Sequence, residues 1–177
     1  MVTKIEIRPL RSEDERGDFS CGEPALDRFF QHYAGQNQFK LRLAVTYVAV
    51  VEGRIVGFAT VAAASLERDA MPSAVLRRRL PAYPLPVLRL ARLGVDWAAQ
   101  GVGVGRCLLR HVFGLALAQR DTVGCVGVVV DAKTDAVAFY EKLGFLALDG
   151  LREGGLHGGA LPLFLDIRQI AAAVELG

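Results

Sequence analysis

A chain of 177 residues with 52% apolar composition and a formal net charge of +2 is long enough for one domain (residues 1–177) that buries roughly 70% of its extended surface. No apolar run reaches the ~18 residues of a membrane span, and the opening Met1-Val-Thr-Lys-Ile-Glu lacks a signal-peptide hydrophobic region, so a cytoplasmic protein away from membranes is expected. The three cysteines, Cys21, Cys107 and Cys125, are too widely spaced for a disulfide framework or a zinc site, and no metal is expected.

Thr3 to Arg8 alternates polar and apolar residues, the period of a first strand with one buried face. A polar loop follows from Arg11 to Asp18. Ser20-Cys-Gly-Glu23 fits the S-x-x-E capping box, and Pro24 fits equally well as a first helical residue. Either start leads into a helix whose Leu26, Phe29, Phe30 and Tyr33 recur at spacings of three and four, an apolar stripe for a sheet. Gly35 to Arg42 breaks that stripe with amides and basic residues; a frayed helix end is favoured over a substrate-lining loop.

Val45 to Val51 and Arg54 to Ser65 read as strands joined by a Glu52-Gly53 hairpin turn. Ser73 to Leu80 allows only a short helix before Pro81 stops it, and its arginines 77, 78 and 79 cannot all face inward. From Glu67 to Arg92 there are six arginines against two acids, a local balance of +4 in a chain of low overall charge.

Leu88 to Asp96 reads as a strand, and the turn through Trp97 to Gln100 leads to Gly101-Val-Gly-Val-Gly105, which opens into a helix from Gly103 to Arg120. Glycines at every second position permit positive φ and let a ligand approach the backbone, while the helix N-terminus offers unpaired amide donors to an anion, so a pyrophosphate is the expected guest. A Walker A loop needs Gly-Lys-Ser/Thr, whereas Gly105-Arg106-Cys107 stands here; a dinucleotide turn needs a third glycine where Arg106 stands. Cys125 to Asp131 is a buried-type strand, followed by Asp135-Ala-Val-Ala-Phe-Tyr140-Glu-Lys-Leu-Gly-Phe145. A short strand, a glycine-rich loop at Asp149 to Ala160, a last strand at Leu161 to Ile167 and a terminal helix at Ile170 to Leu176 complete the chain.

Gln100-x-x-Gly103-x-Gly105 resembles the Q/R-x-x-G-x-G/A acyl-CoA loop of the GNAT superfamily of N-acetyltransferases, and Ala136 to Phe145 resembles its A-x-x-F/L-Y-x-x-x-G-F signature. Over about Lys4 to Ile167 the element order is also similar to that superfamily. Cys21-Gly-Glu-Pro-Ala-Leu-Asp-Arg-Phe-Phe30, Tyr83-Pro-Leu-Pro86 and Arg92-Leu-Gly-Val-Asp96 look like segments of the TacT/AtaT-type toxins of bacterial toxin-antitoxin pairs.

The resemblance implies an α/β (α+β) GNAT acyl-CoA N-acyltransferase fold, with a central mixed, mostly antiparallel sheet of six or seven strands and about four helices. It implies acetyl-CoA as co-substrate, its pantetheine beside Leu93, Gly94 and Val95 and its pyrophosphate at Gln100, Gly101, Val102, Gly103, Val104, Gly105 and Arg106. Tyr140 matches the catalytic tyrosine, the proton donor to the coenzyme A sulfur. Lys133 stands where many GNAT enzymes carry asparagine, so that contact is not carried over.

The implied reaction is acetylation of the α-amino group of aminoacyl-tRNA, blocking translation, with Arg77, Arg78, Arg79, Arg89 and Arg92 holding phosphates. The implied partner is a small ribbon-helix-helix antitoxin, and a homodimer is left open. Two other readings remain at this point: acetylation of a small amine or a protein N-terminus, and a non-catalytic acyl-CoA-binding module.

Overall fold

The computed structural model describes residues 4–148 and 160–176. Seven strands, β1 (Glu6–Pro9), β2 (Val45–Val51), β3 (Arg54–Leu66), β4 (Leu85–Val95), β5 (Gly127–Lys133), β6 (Leu146–Ala147) and β7 (Ala160–Asp166), are hydrogen-bonded in the order β1-β2-β3-β4-β5-β7-β6. The pairings β1–β2, β2–β3, β5–β7 and β6–β7 are antiparallel. Five α-helical segments accompany them: α1 (Pro24–Arg28), α2 (Ala74–Arg79), α3 (Val104–Thr122), α4 (Val137–Lys142) and α5 (Ile167–Leu176). The seven strands meet the upper end of the expected range. The glycine-rich loop expected at Asp149 to Ala160 lies, up to residue 159, outside the described residues.

The chain divides into two compact units, Met1–Ala62 with Leu90–Val112, and Ala63–Arg89 with Phe113–Gly177. In the first, the stripe read from Leu26 to Phe30 packs as expected. Phe29 and Phe30 are buried, Phe30 lies stacked on Phe58 at 4.5 Å between ring centroids, and Phe19 meets Phe30 edge-on at 4.8 Å. Burying a phenylalanine of this kind contributes about 2–3 kcal/mol, and such ring pairs add about 1 kcal/mol. Tyr33, by contrast, is half exposed.

Of the two starts open for the first helix, the structure takes Pro24. The capping box is not made: Glu23 is the N-cap residue without a side-chain cap, Pro24 opens α1, and Asp27 reaches back to accept from the Cys21 amide at 2.8 Å. Gly35 to Arg42 does not fray either. The chain continues from α1 through π-helical turns at Phe29–Tyr33 and Gln36–Lys40, which leave Gln38 buried. Its amide donates to the Leu10 carbonyl at 3.1 Å and its oxygen accepts from the Thr46 amide at 2.8 Å, so this polar residue ties the end of β1 to the start of β2. A buried amide that satisfies two orphan backbone groups stabilises the turn that a fully apolar face would not require.

The hairpin forms as read, with Glu52 at φ 51° and Gly53 at φ 77°, the paired positive angles of a two-residue turn. In the second unit, Leu66, Met71, Leu85, Val87, Val129, Leu148 and Phe164 form the core. Ser73 caps α2 by accepting from the Val75 and Leu76 amides at 3.1 and 3.3 Å. Residue 127 is glycine because a Cβ there would run into the Leu165 carbonyl and the Phe164 ring.

Candidate active site

Residues 90–112, the end of β4, the glycine turn and the first half of α3, lie within the first unit. Gly94 is buried, and a Cβ on it would stand 2.8 Å from the Phe58 ring, so glycine lets the strand lie against that ring. Asp96 ends the strand with its amide on the Val56 carbonyl at 2.8 Å. A short 3-10 turn, Trp97–Ala99, follows, with Asp96 accepting from the Ala98 amide at 3.0 Å. The Gln100 side chain, at an exposed position, donates to the Val95 and Cys21 carbonyls at 3.2 and 3.3 Å.

Gly101 and Gly103 take φ of 84° and 91°, and a Cβ on either would meet nothing within 4 Å. They are needed for backbone angle, and the space they face is open. Gly105 differs: a Cβ there would lie 3.7 Å from the Val95 side chain. The first amide of α3 with a carbonyl partner is that of Cys107, on Gly103 at 3.1 Å. Among the described residues the amides of Val104, Gly105 and Arg106 have no backbone acceptor. Three successive donors stand at the head of a 19-residue helix, the kind of amide set that could hold an anion. A diphosphate fits that donor set.

Tyr140 lies in the second unit, on α4, 5% exposed and set edge-on to Phe139 and Phe145 at centroid distances of 5.3 and 5.4 Å. Burial pushes its hydroxyl up to about 12, and among the described residues that hydroxyl makes no hydrogen bond. Gly144, at φ 99°, closes the helix, and the Phe145 amide returns to the Tyr140 carbonyl at 3.2 Å. Burial in this ring cluster keeps the phenol neutral.

The arginines are less uniform than their spacing suggests. Arg77 donates to the Met71 carbonyl at 2.7 Å and so braces the lead into α2. Arg79 stands 4.0 Å from Asp166, and Arg89 stands 3.7 Å from Asp131 with its Nε buried and without a hydrogen bond. Arg78 is exposed, with no ion pair among the described residues. Those four lie in the second unit. Arg92 belongs to the first unit, where its guanidinium covers the Phe29 ring at 4.1 Å. Among the described residues no group of His, Cys, Asp and Glu could hold a metal ion. Cys21 and Cys125 are buried, and burial raises both thiols.

A family model described as an acetyltransferase (GNAT) domain matches residues 42–146, a span that holds the glycine turn, α3 and Tyr140. The chain belongs to the GNAT acetyltransferases. Similar to it is the tRNA-acetylating toxin of Mycobacterium tuberculosis (strain ATCC 25618 / H37Rv), 36% identical over 139 residues, which are 78% of this chain and 82% of that protein. The solved AtaT complexed with acetyl-methionyl-tRNAfMet is 26% identical, covers 97% of this chain and 99% of its own, and superposes with a TM-score of 0.84. A tyrosine-to-phenylalanine mutant of the AtaT toxin bound to the C-terminus of the antitoxin AtaR is 25% identical, covers 98% and 99%, and gives a TM-score of 0.77.

The GNAT motifs pointed to Gln100 through Arg106 and to Tyr140, but not to Asp96, Gly22 or Trp97, which meet only in the fold. Asp96 carries a faint sequence signal as a cap residue placed between a strand and a turn.

Proposed function

We propose that this acetyltransferase takes its acetyl group from acetyl-CoA and transfers it to the α-amino group of aminoacyl-tRNA, blocking translation. The observation that carries the chemistry is the set of unpartnered amides at 104–106 heading α3. The choice of substrate is supported by 36% identity to a tRNA-acetylating toxin. In this reading those amides and the macrodipole hold the diphosphate, and the end of β4 from Leu93 to Val95 lies along the pantetheine.

The acceptor is a free α-amino group with a pKa of about 8, so a substantial fraction is neutral near pH 7.5 and no carboxylate base is needed. The amine attacks the thioester carbonyl, a C–N bond forms, and the C–S bond breaks. The ammonium proton passes to water. Tyr140 donates a hydrogen bond to the departing sulfur. With the phenol pushed up to about 12 and a thiol at about 8.5, complete proton transfer is uphill, so stabilisation of the developing thiolate is its main contribution.

Exposed arginines, Arg78 first among them, hold tRNA phosphates together with Arg77, Arg79, Arg89 and Arg92. The chain works as one catalytic domain in the cytoplasm under a small antitoxin of the ribbon-helix-helix kind; sedimentation with and without that antitoxin tests for a homodimer.

The deciding experiment incubates the protein with a mixed pool of charged tRNAs and radiolabelled acetyl-CoA. Label released as N-acetyl amino acid on mild alkaline hydrolysis is the expected result. Label that enters only small amines or protein N-termini overturns the substrate.

A further inference from the structure

Asp96 is 5% exposed, and among the described residues no lysine or arginine pairs with it. Its carboxylate is spent on two backbone amides from distant parts of the sequence. Oδ1 accepts from Ala98 at 3.0 Å, in the turn that follows β4, and Oδ2 accepts from Ser20 at 3.3 Å, in the lead into α1.

Other contacts join the same two segments. The Trp97 amide donates to the Ser20 carbonyl at 2.7 Å, and the Gln100 side chain donates to the Cys21 carbonyl at 3.3 Å. Gly22 takes φ 87°, and a Cβ on it would stand 2.8 Å from the Trp97 ring, so the indole lies directly on that peptide. The Ser20 to Gly22 segment is itself anchored, because Asp27 holds the Cys21 amide at 2.8 Å.

We propose that Ser20–Gly22 and Asp96–Gln100 form a clasp that preorganises the anion-binding turn, with Asp96 as its positioning residue. The inference rests on the reading of residues 100–106 as the diphosphate site. Two glycines at positive φ with nothing packed against them leave that turn loose, and a loose turn loses entropy on binding. The clasp fixes the residues immediately before it, so part of that ordering is complete before the cofactor arrives.

An amide in place of the carboxylate has a single acceptor oxygen, and its NH2 group would face one of the two backbone N–H donors. Asp96→Asn therefore loosens the clasp with little change in volume. The expected signature is a KM for acetyl-CoA and a Kd for coenzyme A raised about tenfold, with kcat and the KM for the acceptor within about twofold. Gly22→Ala, which must displace the indole, shifts the same constants in the same direction.

The control is Asp14→Asn, because Asp14 is a carboxylate of the same unit whose partners, the Arg8 guanidinium at 2.8 Å and the Arg11 amide at 2.7 Å, include no residue of the glycine turn. It leaves the affinity for coenzyme A unchanged. The clasp is overturned if Asp96→Asn and Gly22→Ala, both checked by melting temperature, leave coenzyme A binding within twofold of the wild type. It is equally overturned if Asp14→Asn weakens binding as much, or if kcat falls while KM holds. Wild-type protein that binds no coenzyme A overturns the diphosphate reading and the clasp together, whereas normal wild-type binding with unchanged variants overturns the clasp alone.

Discussion

A phenol held at about 12 by burial is a weak acid toward a thiolate, yet it is also a hydroxyl that stays protonated throughout the neutral pH range. Tyr140→Phe removes that donor without emptying the space among Phe139 and Phe145. We expect kcat for acetyl transfer to fall about 10²-fold with little change in coenzyme A affinity, read by single-turnover transfer beside calorimetry. A variant with wild-type turnover would remove Tyr140 from the chemistry.

The same burial predicts a stability effect of definite sign. The unfolded chain releases the tyrosine proton near pH 10 while the folded chain keeps it to about 12, so the folded state binds more protons between those values and loses stability as pH rises through them. Below pH 10 the contribution is constant. Urea melts from pH 9 to 12 should show the wild type losing about 2 kcal/mol more than Tyr140→Phe. The position of Tyr140 was legible in its motif. Its shifted acidity was not, because that depends on ring contacts with Phe139 and Phe145 that a linear pattern leaves undefined.

At the scale of the element, α3 meets β3 through an absent side chain. A Cβ on Gly57 would stand 2.7 Å from the Val104 side chain and 3.1 Å from Leu108. Gly57→Ala is expected to destabilise by about 1–3 kcal/mol in chemical melts, since the N-terminal turn of α3 must shift to admit the methyl group. Gly103→Ala acts otherwise, because space is open but φ is 91°: backbone strain of about 1–2 kcal/mol falls on the turn itself, and coenzyme A binding weakens more than global stability.

Element order was readable because period and punctuation agree along most of the chain: the Glu52-Gly53 hairpin, the short helix between Ser73 and Pro81 and the positive φ of the glycines before α3 each form as read. The lead into α1 left two starts open, because Ser20 and Glu23 satisfy a capping pattern that Pro24 and Asp27 make unnecessary, and the helix begins at Pro24. Gly35 to Arg42 did mislead. Gln38 is buried to serve Leu10 and Thr46, partners 28 and 8 positions away that no helical periodicity reveals.

For the whole molecule, a net charge of +2 leaves nucleic-acid affinity to local charge rather than to the global field. Binding of charged tRNA should therefore depend on a handful of phosphate contacts and weaken steeply with salt. Arg78→Glu, at an exposed guanidinium, is expected to lower that affinity and reduce the salt slope by about one while leaving the melting temperature unchanged. Arg77→Glu differs in kind, because it also removes the donor that braces the Met71 carbonyl. Its effect on tRNA should come with a loss of stability in differential scanning calorimetry. The basic run was visible in the sequence, but the division of its arginines between bracing and free display was not.

The two compact units alternate in the sequence, since each is assembled from two stretches separated by a stretch of the other. A ribosome delivering this protein must release residues 90–112 before the first unit is complete, and by then 63–89 of the second have already emerged unfinished. Neither unit can be excised as a contiguous fragment, and a nascent chain stalled before Val112 holds neither unit complete.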